Sequence, residues 1–105
     1  MIMFFKKNYD SINVNKLKNN LGKVSLIDIR EPFEYSEGHI PSSKNIPMNN
    51  LIYNPDKYLD KNKEYYIVCQ SGGRSSSTCK FLSKKGFNVI NVSGGTGSYS
   101  GKLER

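Results

Sequence analysis

The chain has 105 residues, 36% hydrophobic and 24% charged, with a formal net charge of +7. That length has room for one domain (1–105) around one core, not two, and no run approaches the roughly 20 apolar residues of a membrane span. Two cysteines and one histidine exclude a disulfide scaffold and leave no ready zinc site, so no metal is expected. Met1–Phe5 is apolar but stops at Lys6-Lys7, without the cleavage site of a signal peptide; the expected location is the cytoplasm. The positive field suits small anions, acidic proteins or nucleic acid. The lysines are dispersed rather than clustered, which argues against nucleic acid.

In chain order, Ser11-Ile12-Asn13 is a short extended entry. Val14–Leu21 follows as a helix with Val14, Leu17, Lys18 and Leu21 on one face and Gly22 as its stop. Val24–Ile29 reads as a strand, apolar enough to be buried on both faces of a parallel sheet, with Asp28 as the exception inside it. Glu31-Pro32 starts a short helix through Tyr35, and Gly38 ends it. His39-Ile40-Pro41 leads to the extended Asn45-Ile46-Pro47. Met48–Ile52 and Pro55–Leu59 are helical turns, Tyr65–Val68 a strand, Ser75–Lys85 a helix stopped by Gly86, and Val89–Val92 the last strand. Ser93-Gly94-Gly95 is a tight turn before a short polar tail. Strands alternating with helices predict an α/β fold with a mainly parallel central sheet flanked by helices, and ligands in such folds sit at the carboxyl ends of the strands. Asp28, Arg30 and Cys69 all fall at such ends.

The chemistry is concentrated in Cys69-Gln70-Ser71-Gly72-Gly73-Arg74-Ser75. A strand ends in a cysteine, two glycines let the backbone curl, and a helix begins. Peptide N–H groups converging at a helix start form an anion-binding concavity, which also lowers the pKa of a thiol inside it. Only 3 arginines stand beside 13 lysines, and two of them, Arg30 and Arg74, follow strand-like runs where a planar multi-donor fork is useful.

Three stretches together resemble the rhodanese-like sulfurtransferase domain: Leu26–Tyr35 with Gly38–Pro47, the loop Cys69–Arg74, and Asn91–Gly95. The resemblance runs from about Ile12 to Gly95 and implies the three-layer rhodanese-like fold, with a core of about 12–95. It implies sulfane-sulfur transfer from thiosulfate or a persulfide donor to cyanide or a thiol, one on a partner protein included, through a Cys69 persulfide. Gln70, Ser71, Gly72, Gly73, Arg74 and Ser75 would form the active-site loop, with Asp28 and Arg30 in support and no cofactor. Arg74 would hold the anionic donor or pair with Asp28, while Arg30 would add positive field at the same edge. An alternative is a sulfur-carrier module that receives persulfide sulfur from a partner protein. A cysteine phosphatase or arsenate reductase is disfavoured, because only four residues separate Cys69 from Arg74, a loop shorter than those enzymes use. After Gly95 the chain departs from the family: the tail is rich in glycine and serine, and no tryptophan is present.

Plainer roles stand beside these. Cys79 reads as a core residue of its helix, with a resolving thiol as the sharper alternative. Asp28 reads as an ion-pair or capping residue that fixes the fold, and His39 as a structural hydrogen-bonding residue. Ser71 and Ser75 serve either the sulfur or the turn and helix cap.

Overall fold

Alternating apolar runs and helical segments assemble here into a parallel sheet covered on both faces. The computed structural model describes residues 9–105, so the Met1–Phe5 stretch lies outside it. The strands are β1 (Asp10–Asn13), β2 (Leu26–Asp28), β3 (Lys44–Asn45), β4 (Glu64–Val68) and β5 (Asn88–Ser93). The helices are α1 (Val14–Leu17), α2 (Pro32–Glu37), α3 (Met48–Tyr53), α4 (Pro55–Tyr58), α5 (Gly73–Lys84) and α6 (Gly95–Ser98). Strand order is β1-β5-β4-β2-β3, and every pairing is parallel. Among the described residues no helix is long and apolar enough to cross a membrane.

Side chains alternate across each strand, and the two faces feed two clusters. Ile27, Ile29, Ile67, Cys69 and Val89 pack with Leu51, Leu59, Cys79 and Leu82. Leu26, Val68 and Val92 pack with Val14, Leu17 and Ile40. The central strands β2 and β4 contribute to both clusters, which is why they read as nearly unbroken apolar runs.

Among the boundaries that differ from the sequence reading are those of three helices. The first helix is shorter: Asn13 caps it by accepting from the Asn15 N–H at 2.9 Å, but after Leu17 the chain tightens into a 3-10 turn, Lys18–Asn20, and Leu21 is extended. Asn19, Asn20 and Gly22 are weak helix formers, and tertiary packing does not rescue them. α2 begins at Pro32 and runs on to Glu37, with Glu31 as its cap; Glu31 and Glu34 form a reciprocal capping box. α5 begins two residues early, at Gly73, because Gly72 adopts φ 110° and turns the chain into the helix.

The polar tail folds back. Tyr99 packs against the second cluster, and His39 and Glu104 exchange two backbone hydrogen bonds of 2.8 Å. The His39 ring stacks on Tyr35 with centroids 3.8 Å apart, and its Nδ1 lies 2.9 Å from the Tyr35 carbonyl. His39 is engaged as a structural residue.

Candidate active site

Parallel register brings the ends of β2 and β4 to one edge. Asp28 is opposite Val68, and the Ile29 N–H donates to the Val68 carbonyl at 3.0 Å. Cys69 and Arg30 therefore leave the sheet side by side. Cys69 is 1% exposed. Its Sγ accepts from the Gly72 N–H at 3.1 Å and the Ser75 N–H at 3.3 Å, and lies 3.4 Å from Ser75 Oγ. Burial pushes the thiol up from its ordinary 9.0, but the Ser75 hydroxyl and the N–H groups of Ser75, Gly72 and Ser71 outweigh it and hold the pKa below that value. Ser75 Oγ also lies 3.2 Å from the Gly72 carbonyl. Its proton can face that carbonyl while the sulfur is a thiol, then rotate to the sulfur when the thiolate forms.

Asp28 and Arg30 form a buried pair, 0% and 3% exposed. Arg30 Nη2 donates to Asp28 Oδ2 at 2.8 Å, Nε donates to both carboxylate oxygens, and Asp28 Oδ1 also takes the Arg30 N–H at 3.0 Å. The rest of the fork is used as well: Nη2 donates to the Gly38 carbonyl at 2.8 Å and Nη1 to Gln70 Oε1 at 3.1 Å. Arg30, neutralised by Asp28, ties the cysteine loop to the turn after α2 rather than projecting charge.

Arg74 does not pair with Asp28. Its fork takes Glu34 of α2 in a bidentate pair, Nη1 to Oε1 at 2.8 Å and Nη2 to Oε2 at 3.0 Å. The hydrogen bonds from Arg74 pull the Glu34 carboxyl from its ordinary 4.5 down to about 2, and the Arg74 pKa is raised in turn. The reason is positional: Asp28 lies beneath the sheet edge, saturated by Arg30, whereas α2 presents Glu34 beside the first turn of α5. Gln70, Ser71 and Gly73 are exposed along the loop, and Ser75 is buried beneath it.

Four contributors escaped the sequence reading as site residues. Besides Glu34, Asn45 Nδ2 donates to the Asp28 and Arg30 carbonyls at 2.9 and 3.0 Å and fixes the chain on either side of the ion pair. Thr96 and Gly97 of α6 donate N–H groups to the carbonyls of Cys69 and Gln70, each at 2.9 Å. This approach requires Gly95: its φ is +64°, and a Cβ there would stand 2.5 Å from both carbonyl oxygens. The only sequence signal was the Gly94-Gly95 pair. Cys79 lies in the core beneath α5, fully buried, and burial pushes its thiol up to about 12; it is a packing residue, protonated at neutral pH.

The arrangement holds one polarised sulfur in a ring of N–H donors at the start of a twelve-residue helix, with the nearest arginine fork already occupied. Comparison with known proteins agrees with that picture. The family model for the rhodanese-like domain matches residues 13–102. The Bacillus subtilis (strain 168) protein named "Putative sulfurtransferase YtwF" is 44% identical over 84 residues, spanning 78% of this chain and 79% of that protein. "Putative sulfur carrier protein YrkF" of the same organism is 38% identical over 82 residues, 77% of this chain but 44% of that protein. The crystal structure of a rhodanese-related protein from Thermoplasma volcanium superposes with a TM-score of 0.77 at 40% identity, covering 87% of this chain and 90% of that one.

Proposed function

This chain belongs to the rhodanese-like domain family, and from that premise we propose that it moves sulfane sulfur through a persulfide on Cys69, using thiosulfate or a persulfide as donor. The Cys69 thiolate attacks the outer sulfur of thiosulfate. A Cys69 S–S bond forms, the S–S bond of thiosulfate breaks, and sulfite leaves with that electron pair. Cyanide or a thiolate then attacks the terminal sulfur, giving thiocyanate or a new persulfide and returning Cys69 as thiolate. Both steps balance without an external oxidant, and each needs the same thing from the protein, a place for negative charge on sulfur. The N–H groups of Ser71, Gly72 and Ser75 supply it in the low-dielectric site where such donors are most effective. The observation that carries the reading is a buried sulfur that accepts from the Gly72 and Ser75 N–H groups at 3.1 and 3.3 Å, with the Ser75 hydroxyl 3.4 Å away.

The Arg74 fork is held by Glu34, so an anionic donor meets the N–H groups of the loop rather than a free arginine. The second reading, a sulfur carrier loaded by a partner protein, is favoured by the near-complete burial of Cys69, which limits access by free donors. Steady production of thiocyanate from thiosulfate and cyanide supports the enzyme. Little or no thiocyanate from thiosulfate, by a chain whose Cys69 still takes sulfur from a persulfide donor, supports the carrier. A Cys69→Ser variant that still turns over overthrows both.

A further inference from the structure

Beside the cysteine loop lies an open groove of about 630 Å³, bordered by Gln70 and Glu34 at one end. One wall is α2, with Phe33 and Glu37. The other is the tail, with Tyr99, Gly101 and Leu103, pinned by the His39–Glu104 bridge. Two features mark it as more than a surface crease. Of the three large hydrophobic side chains exposed among the described residues, Phe33 (67%) and Leu103 (37%) both line this groove. Exposed apolar side chains facing one depression favour an apolar ligand, and Gln70, the residue after Cys69, lines this one.

The second feature is charge. Residues 31–43 hold three glutamates and no lysine or arginine, in a chain of net +7. Among the described residues the only cation lining the groove is Arg30, held by Asp28. Glu34 is held by Arg74, while Glu37 makes no ion pair among the described residues. Glu37 and Leu103 form the ridge towards a second depression, and the cations Lys102 and Arg105 line that one instead. Among the described residues the groove thus offers an apolar body-site and one carboxylate, Glu37, outside any ion pair.

We propose that this groove is the acceptor subsite, and that Phe33, Leu103 and Glu37 select small thiols with an apolar skeleton and a neutral or cationic group over anionic ones. The inference rests on the sulfur-transfer reading above. The acceptor thiolate, lodged against Phe33 and Leu103, attacks the terminal sulfur of the Cys69 persulfide. The new S–S bond forms on the acceptor, and the electron pair of the broken bond returns to Cys69. The tail wall is thin at Gly101, where the tip of the Tyr99 ring folds back over the backbone.

The test uses the full chain, loaded on Cys69 with inorganic polysulfide and discharged by four thiols, with persulfide loss followed by intact mass. Two rate ratios are read: 2-phenylethanethiol over 2-mercaptoethanol, and cysteamine over 3-mercaptopropionate. Comparing each ratio between variants cancels the intrinsic reactivity of the thiols. Phe33→Ser and Leu103→Ala should each lower the first ratio about fivefold. Glu37→Gln should lower the second about threefold and leave the first unchanged. Phe33 is exposed enough that its substitution leaves the fold intact, and loading by polysulfide should match the unmodified chain in all three. Normal loading with unchanged ratios overturns the groove while leaving the sulfur-transfer reading in place. Failure of Cys69 to load in the unmodified chain overturns both.

Discussion

Gly95→Ala tests how the cysteine loop is held. The new Cβ would stand 2.5 Å from the carbonyl oxygens of Cys69 and Gln70, well inside contact distance, and neither oxygen is the end of a flexible side chain. The backbone must move, which breaks the hydrogen bonds from Thr96 and Gly97 to those two carbonyls, at about 1 kcal/mol each. Holding alanine at the φ of +64° adds about 1–2 kcal/mol. The expected loss is therefore about 3–4 kcal/mol, read by urea denaturation, together with slower alkylation of Cys69 by iodoacetamide because the N–H donors no longer converge on Sγ. Gly73→Ala is the internal control. Nothing lies within 4 Å of a Cβ there and the residue opens α5, so stability should stay level or rise by about 0.5–1 kcal/mol. A Gly95→Ala protein within about 1 kcal/mol of the parent, with unchanged alkylation, would refute the reasoning.

Other expectations follow from the same contacts. Ser75→Ala removes the hydroxyl that supports the thiolate, so the pH midpoint of Cys69 alkylation should move upward; an unchanged or lower midpoint counts against that role. Arg30→Met leaves Asp28 buried and unpaired, and should cost about 3–5 kcal/mol in urea denaturation; a cost under about 1 kcal/mol would show the pair to be incidental. Glu34 has its folded pKa depressed, about 2 against 4.5, so its contribution is present above 4.5 and is lost as pH falls towards 2. The Arg74 side chain is 39% exposed, and solvent screening limits the effect to about 1 kcal/mol. Glu34→Gln should flatten that part of the acid stability curve, and an identical curve would argue against the pair.

Much of this site was legible because it is local. Cys69 to Ser75 is one continuous stretch, and its glycines and the helix start announce the curl directly. Asp28 and Arg30 were legible as residues of one sheet edge, but the sequence offered Asp28 to Arg74 and not to Arg30, which holds it. What the sequence hid was pairing across the fold. Glu34 lies 40 residues from Arg74, and only the packing of α2 beside α5 brings them together. Gly95 looked like a turn glycine; that it is a point of backbone contact with Cys69 depends on β5 lying beside β4. The fold class was readable from the alternation of elements, whereas the ends of α1 and α2 turned on local capping that periodicity does not register.

The central claim is that Cys69 carries the sulfur. Intact mass spectrometry of the chain after exposure to thiosulfate tests it most directly. The expected result is a gain of one sulfur atom that disappears on adding cyanide and is absent from Cys69→Ser. No gain from either thiosulfate or polysulfide, or a gain that persists in Cys69→Ser, would contradict it.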